Sequence, residues 1–420
     1  MTARPLRGYR GPVGTEAKPT RAIVAILLGV IPLSQFPIDV YTPAIPTMVT
    51  ELGTTTTLVQ ASVAAYVLGL AIGQLPIGIL GDVLGRRRVL LVCLALLCLA
   101  SVGTALSANI WMLLAFRLVE GLGGAACMVV VKAIAADVAH GPALASLSGY
   151  LGASWGLAPV VAPAIGGALV QFLSWRGIFG LTAALAAIAV VVVLRWLPET
   201  LPAEERTRLS ARAVGSAIGG SLRHPLFLFA VLAFAVFAGA QLLFGVVAPV
   251  IYEVRLGIPA AVYGVFALVV GLANLGGELT TGALGTRWRH ERIAWTAFGA
   301  FLLGALVLVV SAAIQGANVW AIAVGGVLAL YGCGALCPLM FGRALAMFDR
   351  NRGLIAGVGS TITYLVVALV MAFASILPDE DQAPLGWVYL AVAALGAACI
   401  ALSFALRVRA PGAAAVGAPS

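Results

Sequence analysis

The chain has 420 residues, of which 62% are apolar or aromatic and only 10% are charged, against about 25% in an ordinary soluble domain. This composition leaves too little polar surface for a water-soluble globule, so it excludes a soluble enzyme and a disordered chain alike. A net charge of +9 would suggest a nucleic-acid partner for a soluble protein. In so apolar a chain we expect no nucleic acid, and the charge instead sets orientation in a membrane. The sequence therefore predicts an all-α integral membrane protein.

Twelve apolar segments follow one another along the chain, each long enough for a membrane-spanning helix. Crossing the hydrocarbon core takes about 20 mostly apolar residues, and continuous apolar runs favour helices over the alternating strands of a barrel. The predicted spans cover residues 22–48, 58–80, 89–106, 110–137, 144–172, 176–197, 226–252, 258–283, 292–315, 318–343, 353–377 and 383–407.

One long polar segment, 198–225, interrupts these spans near the middle of the chain. It predicts an N-terminal six-helix half at 1–197, a cytoplasmic linker at 198–225 and a C-terminal six-helix half at 226–420. The motif at 78–81 is partly repeated at 282–285, as expected for two similar halves with a site between them.

Lysine and arginine distinguish the two sides of the predicted bundle. Most of the 25 basic residues lie in the termini and in the even-numbered loops, which share one side of the membrane when there are twelve spans. Cytoplasmic loops are enriched in lysine and arginine. We therefore expect both termini to be cytoplasmic.

The motifs of common membrane enzymes and ATP-driven pumps are missing from the sequence. Neither lysine, Lys18 or Lys132, follows a glycine, so the chain has no phosphate-binding loop of the Walker type. The three histidines fall in predicted loops, and the six cysteines fall in apolar spans where packing explains them. The acidic run 379–381 is compatible with the metal motif of a membrane transferase, but a solvated external loop explains it better. We expect no metal, no cofactor and no enzymatic activity.

Ionisable side chains inside a bilayer are costly and are therefore functional candidates. Asp39 in the first predicted span and Arg117 in the fourth both lie on the order of 10 Å below the outer surface, so we expect them to meet. A buried carboxyl group beside a cation is suited to exchange protons during transport. The alternative is that Asp39 serves only as a structural partner of Arg117.

Three further ionisable residues lie within predicted spans. Glu120 follows Arg117 by three positions, so the two side chains share a helix face and either neutralise each other or form part of a proton relay. Lys132 lies near a helix end, where its side chain can reach the interface. Glu278, in the eighth span, is a candidate for coupling or gating.

The loop after the second span combines glycines with charges. Gly78 and Gly85 permit a tight turn and close helix approach. Asp82 is placed to meet a facing helix N-terminus or an arginine such as Arg86 or Arg87, which would close the cytoplasmic side.

Prolines and aromatic residues in the spans indicate a binding cavity. Pro37 and Pro43 flank Asp39 and should distort the first helix, and Pro163, Gly166 and Gly167 predict a kinked, closely packed fifth helix. Asp39 and six aromatic side chains are the candidate substrate-binding groups; the aromatic ones are Tyr41, Tyr66, Trp155, Phe237, Phe244 and Tyr364.

These segments resemble a known family. Residues 78–90 resemble the G-x-L-x-D-x-x-G-R-R-x-x-L signature of the major facilitator superfamily, with Val83 where a basic residue is common. Residues 116–124 resemble the fourth-helix motif of its drug/proton antiporters, and Asp137 matches the acid that usually ends that helix. Residues 158–167 are similar to the fifth-helix antiporter motif, with alanines in place of two glycines.

A more specific similarity is to the bicyclomycin/chloramphenicol-resistance (Bcr/CflA) branch. Residues 38–46 are similar to its first-helix segment, and residues 174–179 and Asn274 also fit. Glu120 departs from that branch, in which a neutral polar residue is more usual.

The resemblance implies the major facilitator fold and export of apolar or amphipathic drugs, with phenicol- or bicyclomycin-like antibiotics among the candidates. Export would be driven by the proton gradient through alternating access, in the bacterial cytoplasmic (inner) membrane, by a monomer whose partners are small lipophilic substrates and the lipid bilayer. Two alternatives remain open. One is a major facilitator carrier of an amino acid, sugar or nutrient, and the other is a channel or membrane-bound transferase.

Overall fold

The computed structural model describes residues 21–139, 141–206, 211–285, 287–346, 352–374 and 381–405, and every regular element within them is helical. The N-terminal arm, the C-terminal end, His140 and two residues of the acidic run, Asp379 and Glu380, lie outside the described residues.

Twelve helical segments in the described part of the chain are long and apolar enough to cross a membrane, which confirms the predicted fold class. They cover Arg21–Glu51, Thr56–Leu84, Arg86–Ala105, Ile110–Val138, Ser146–Leu169, Trp175–Trp196, Pro225–Arg255, Ala260–Leu284, His290–Gln315, Val319–Leu345, Ile355–Phe373 and Ala383–Ala405. The fifth and eleventh lie within longer helices, Gly141–Leu169 and Arg352–Ala374. Between the sixth and seventh spans the linker forms a short 3-10 turn, Ala203–Glu205, and a helix, Ala211–Leu222.

The first span is a succession of short helical pieces. They are Arg21–Val30, Ile31–Ser34, Phe36–Asp39, Thr42–Ala44 and Ile45–Glu51, of which the second and fourth are 3-10 turns. Each of the last four pieces has a proline in its first turn, where the missing N–H is tolerated. Because proline cannot continue the hydrogen bonding of the preceding turn, the chain is interrupted on both sides of Asp39.

Contacts between the ends of helices distinguish the two ends of the bundle. At the end carrying Arg86, Arg87 and Arg88, which we call the basic end, Arg87 Nη2 donates to Leu194 O at 2.6 Å. At the opposite end, Glu51 accepts hydrogen bonds from Trp175 Nε1 at 2.8 Å and from Arg176 Nη1 at 2.5 Å.

Several helices that begin at the opposite end have a side-chain cap. Asn109 accepts from Met112 N at 2.9 Å before the fourth span, and Asn318 accepts from Ala321 N at 3.0 Å before the tenth. Such caps satisfy an orphan amide at the helix start.

The fourth and tenth spans occupy equivalent central positions. The fourth packs on the second and third spans, and the tenth packs on the seventh, eighth and ninth. Both approaches require glycine: a Cβ added at Gly121 would overlap the backbone at Tyr66, and one added at Gly334 would overlap the backbone at Asn274. Close backbone approach through small residues is the usual way in which helices associate in lipid.

Two long contacts join the first six spans to the last six. The second span packs on the eleventh, and the fifth packs on the eighth. In both contacts the second span of one half packs on the fifth span of the other half, as expected for similar halves. Near the opposite end, Gln60 Nε2 donates to Val246 O at 3.3 Å and links the second span to the seventh.

Candidate functional site

A small cavity lies where the broken first span meets the fifth, seventh, eighth and tenth spans. Its volume is about 40 Å³, enough for about three water molecules. A drug-sized ligand needs about 300–1,000 Å³. The first six spans and the last six must therefore separate before such a ligand can enter. The side chains on which the argument below depends are Gln35, Asp39, Gln241, Phe244, Tyr263 and Asn274.

Asp39 is the acidic side chain of this cavity. It is 6% exposed, and its Oδ2 accepts a hydrogen bond from Gln35 Nε2 at 2.8 Å. Gly245 of the seventh span faces it, since a Cβ added there would lie 3.7 Å from Asp39 Oδ1. Asp39 forms no ion pair with any residue that the structure describes. A carboxyl group in this setting can hold a proton or a cationic ligand, because either one removes an uncompensated buried charge.

Arg117 and Glu120 form a separate, fully buried ion pair. Their side chains are 0% exposed, and Arg117 Nη1 lies 2.8 Å from Glu120 Oε2. Ser101 Oγ donates to Glu120 Oε1 at 2.6 Å, so both carboxylate oxygens are satisfied. The guanidinium carbon lies 4.8 Å from the ring centroid of Tyr41 and 4.4 Å from that of Tyr66, in cation–π geometry.

The expected meeting of Asp39 with Arg117 is absent from the contacts of the described residues. The i,i+3 neighbour Glu120 takes the guanidinium instead, because it lies on the same face of the same helix. Two interpretations of Glu120 were left open, a neutralising pair with Arg117 and a proton relay. The observed contacts are those of the neutralising pair.

Only one of the six aromatic candidates, Phe244, lines the cavity around Asp39. Tyr41 and Tyr66 enclose Arg117; their hydroxyls contact Ser62 Oγ at 2.6 Å and Ser34 O at 3.0 Å. Both tyrosines are therefore committed to the interior of the first six spans.

The other three aromatic candidates lie elsewhere. Phe237 packs edge-on against Phe301 at 5.0 Å within the last six spans. Tyr364 lies where the eleventh span meets the fourth, with its hydroxyl 3.3 Å from Met128 Sδ. Trp155 is half-buried, and no described residue forms a hydrogen bond with its Nε1.

Three cavity residues, Gln35, Gln241 and Tyr263, were not among the sequence candidates. A signal was available for the first, because it lies one helical turn before Asp39. The second is a lone amide within an apolar helix, and its polarity alone marks it as unusual at that depth.

Asn274 connects the cavity to Glu278. Its Nδ2 donates to Glu278 Oε1 at 3.1 Å, and its own Oδ1 is buried without a hydrogen-bond partner in the described part of the chain. Glu278 is half-buried and faces Gly156 of the fifth span, where an added Cβ would lie 3.1 Å from Glu278 Oε2. Lys132 is exposed on the fourth span.

The predicted gating residues join the ends of four spans at the basic end. Asp82 pairs with Arg86 four residues later, and Arg86 Nε lies 3.4 Å from Asp137 Oδ2. Thr200 Oγ1 donates to the same Asp137 oxygen at 2.9 Å. Gly85 has φ +101°, a conformation that favours glycine. Asp82, near the end of the second-span helix, thus meets an arginine at the start of the next helix, one of the two partners expected for it.

The fifth span supplies the close approaches that its glycines predict. Pro159 and Pro163 lie inside its helix. A Cβ at Gly166 would overlap the backbone carbonyl of Val40, next to Asp39, and one at Gly167 would contact the backbone at Ala260 in the eighth span. This helix therefore packs against both the broken first span and the other half of the bundle.

Replacing Gly166 with alanine is expected to destabilise the protein by about 1–3 kcal/mol, because the new methyl group overpacks a backbone contact. The measurement is thermal unfolding of the purified protein in detergent. Gly149→Ala, on the same helix and with no atom of the described residues within 4 Å of the added Cβ, is the matched control. Equal unfolding temperatures for the two variants would contradict the close packing beside Asp39.

Comparisons with known proteins agree with the membrane-helix fold described above. The sequence profile of the Major Facilitator Superfamily matches residues 27–316. The chain belongs to this superfamily. The uncharacterized MFS-type transporter YdgK of Bacillus subtilis is 32% identical over 308 residues, covering 73% of this chain and 76% of that one.

Two relatives of this major facilitator protein carry drug-resistance names. The chloramphenicol resistance protein of Pseudomonas aeruginosa is 27% identical and covers 88% of each chain. Multidrug resistance protein D of Escherichia coli is 25% identical, covering 87% of this chain and 91% of that one. They support the resemblance to the drug-efflux type.

Among solved structures, a D-xylose-proton symporter matches with a TM-score of 0.73 at 16% identity, covering 91% of this chain and 97% of that one. At this identity the match shows the fold alone. Together with the twelve spans, these findings identify the protein as a multi-pass membrane transporter.

Proposed function

We propose that this major facilitator protein exports apolar or amphipathic drugs, phenicol-like antibiotics among them, in exchange for protons. It would act as a monomer in the bacterial cytoplasmic membrane, with the basic end and both termini in the cytoplasm. The proton gradient would drive it without a cofactor. The relatives named for chloramphenicol and multidrug resistance support this choice of substrate class.

The observation that carries the proposal is the position of Asp39. It is the carboxylate among the residues lining the cavity, and neither lysine nor arginine accompanies it there. An exchanging site needs one group that binds either a proton or substrate and that changes its exposure between states. Asp39 lies where the two halves meet, so rocking of the halves would change its exposure. Glu120 is enclosed within one half and would keep its partners.

Alternating access would proceed by opening one end of the bundle while the other closes. The bond from Gln60 to Val246 belongs to the closed opposite end. The cluster of Asp82, Arg86 and Asp137 at the basic end would rearrange as that end opens and closes. Substrate would then bind near ionised Asp39 from the cytoplasm and leave outside as a proton takes its place.

Everted membrane vesicles provide the test. Vesicles that carry the protein should accumulate a phenicol or a lipophilic cation when an inward-acid pH gradient is imposed, and should release it when the gradient is collapsed. Vesicles that show no gradient-dependent accumulation across a broad drug panel would contradict drug export.

A second candidate is a carrier of a polar metabolite. Three amide side chains, Gln35, Gln241 and Asn274, line the small cavity, and amides arranged in this way suit hydroxyl or amino-acid groups better than apolar drugs. The same vesicles distinguish the two candidates: gradient-driven movement of sugars or amino acids, with no movement of drugs, would establish the metabolite carrier.

A further inference from the structure

A basic groove lies on the outside of the first six spans, away from the cavity of Asp39. It has a volume of about 420 Å³ and is formed by the start of the third span together with the segment that follows the sixth. Three arginines and one glutamate supply its charge: Arg87, Arg88, Arg206 and Glu199. None of the contacts used for transport above involves Arg88 or Arg206.

The guanidinium groups of this groove are not fully satisfied by the described protein. The Nε atoms of Arg87 and Arg206 are buried and have no hydrogen-bond partner among the residues that the structure describes. Arg206 Nη2 approaches Glu199 Oε2 only to 4.0 Å, and Arg88 is exposed. Buried unpartnered donors are rare in folded proteins and call for a ligand or bound solvent.

Glu199 only partly neutralises the groove, because its single carboxylate faces three guanidinium groups. Its Oε1 accepts from the backbone amides of Arg87 at 3.4 Å, Thr200 at 3.2 Å and Leu201 at 3.3 Å. Three positive side chains therefore face one carboxylate that already caps backbone groups. The groove retains an excess of positive charge that suits an anion with several acceptor oxygens, such as a phosphate.

Apolar side chains continue the groove into the depth of the membrane. Leu84 and Val92 are 40% and 64% exposed, and Leu91 lies beside Val92. Val92 follows Arg88 by four residues, so it lies about 6 Å deeper along the third span. The groove therefore has charge at the membrane boundary and exposed apolar surface below it. A lipid, with a polar headgroup and an acyl chain, has the matching arrangement.

We propose that the groove between Arg87, Arg88 and Arg206 binds the phosphate of an anionic phospholipid, with Leu91 and Val92 against the acyl chain. Basic pockets at the ends of membrane helices suit anionic headgroups. The site lies beside the ion pair of Asp82 and Arg86, so bound lipid would hold the third span and the linker together at the basic end.

The test is native mass spectrometry of the detergent-solubilised full chain, titrated with phosphatidylglycerol and, separately, with phosphatidylcholine. Each arginine near an anionic headgroup contributes about 1 kcal/mol, or about fivefold in affinity. The Arg88→Gln/Arg206→Gln double variant should therefore bind phosphatidylglycerol about 25-fold more weakly, with weak phosphatidylcholine binding unchanged. Arg289→Gln, which alters an 87% exposed side chain near the start of the ninth span, is the matched control and should bind like the wild type.

Two results would overturn the proposal. Wild-type phosphatidylglycerol affinity in the double variant would place lipid binding elsewhere. Displacement of the lipid by equimolar inorganic phosphate would assign the groove to a soluble anion, because a lipid held also by Leu91 and Val92 should resist it. If the double variant does not fold, Arg88→Gln alone, at an exposed position, should still lose about fivefold.

Discussion

Replacing Asp39 with asparagine is expected to abolish drug accumulation driven by a pH gradient while leaving drug binding measurable. Asparagine has nearly the same shape and can keep the contact with Gln35, but it cannot carry a proton. In the wild type, proton and drug should compete, so that drug affinity falls as the medium is acidified. Coupling free energies between ligands are about 1–3 kcal/mol, which corresponds to 5–150-fold. In Asp39→Asn the affinity should be flat with pH.

The measurement is equilibrium drug binding to purified protein over a series of pH values, together with uptake into everted vesicles. Glu291→Gln, at an acid about half exposed at the start of the ninth span, is the control and should retain the wild-type pH dependence. Undiminished uphill transport by Asp39→Asn would transfer the proton role to Glu120 or Glu278.

Removing one partner of the Arg117–Glu120 pair is expected to destabilise the protein by about 3–5 kcal/mol, because the remaining charge is left buried. Both side chains are 0% exposed, and Ser101 completes the carboxylate contacts. Arg117→Met and Glu120→Leu should each lower the unfolding temperature strongly. The double variant Arg117→Met/Glu120→Leu should recover much of that loss, since an apolar pair leaves no unpaired charge.

Thermal unfolding of the four proteins in the same detergent measures this coupling. A large favourable interaction in the double-mutant cycle is the expected result. The structural role of the pair would be contradicted by a Glu120→Leu variant whose free energy of unfolding lies within about 1 kcal/mol of the wild-type value but which has lost all pH-driven transport. In that case Glu120 would act as a proton carrier.

The spans were predictable because their signal is local. About 20 apolar residues are needed to cross a bilayer, and each of the twelve runs meets that requirement. The interruption around Asp39 was predictable for the same reason, since Pro37 and Pro43 break helices wherever they occur. The close approach at Gly166 was predictable as well, because a glycine has no Cβ and lets two helix backbones meet.

The Arg117–Glu120 pair was predictable from its i,i+3 spacing. The surroundings of Asp39 were not, because sequence gives the depth of a residue but not the direction in which its helix faces. Asp39 and Arg117 were placed at similar depth, yet one faces the other half of the bundle and one faces Glu120. Tyr41 lies two residues from Asp39 but points to Arg117. The role of Gln241 depends on the seventh span meeting the first, a contact far apart in sequence.

The central claim is that drug and proton move in opposite directions through one site. Proteoliposomes containing the protein and a trapped pH indicator test it directly. A drug gradient imposed at equal starting pH should move protons against the direction of drug flux, and Asp39→Asn should show no such proton movement. Proton movement in the same direction as the drug, or drug flux with no proton movement in the wild type, would contradict the account.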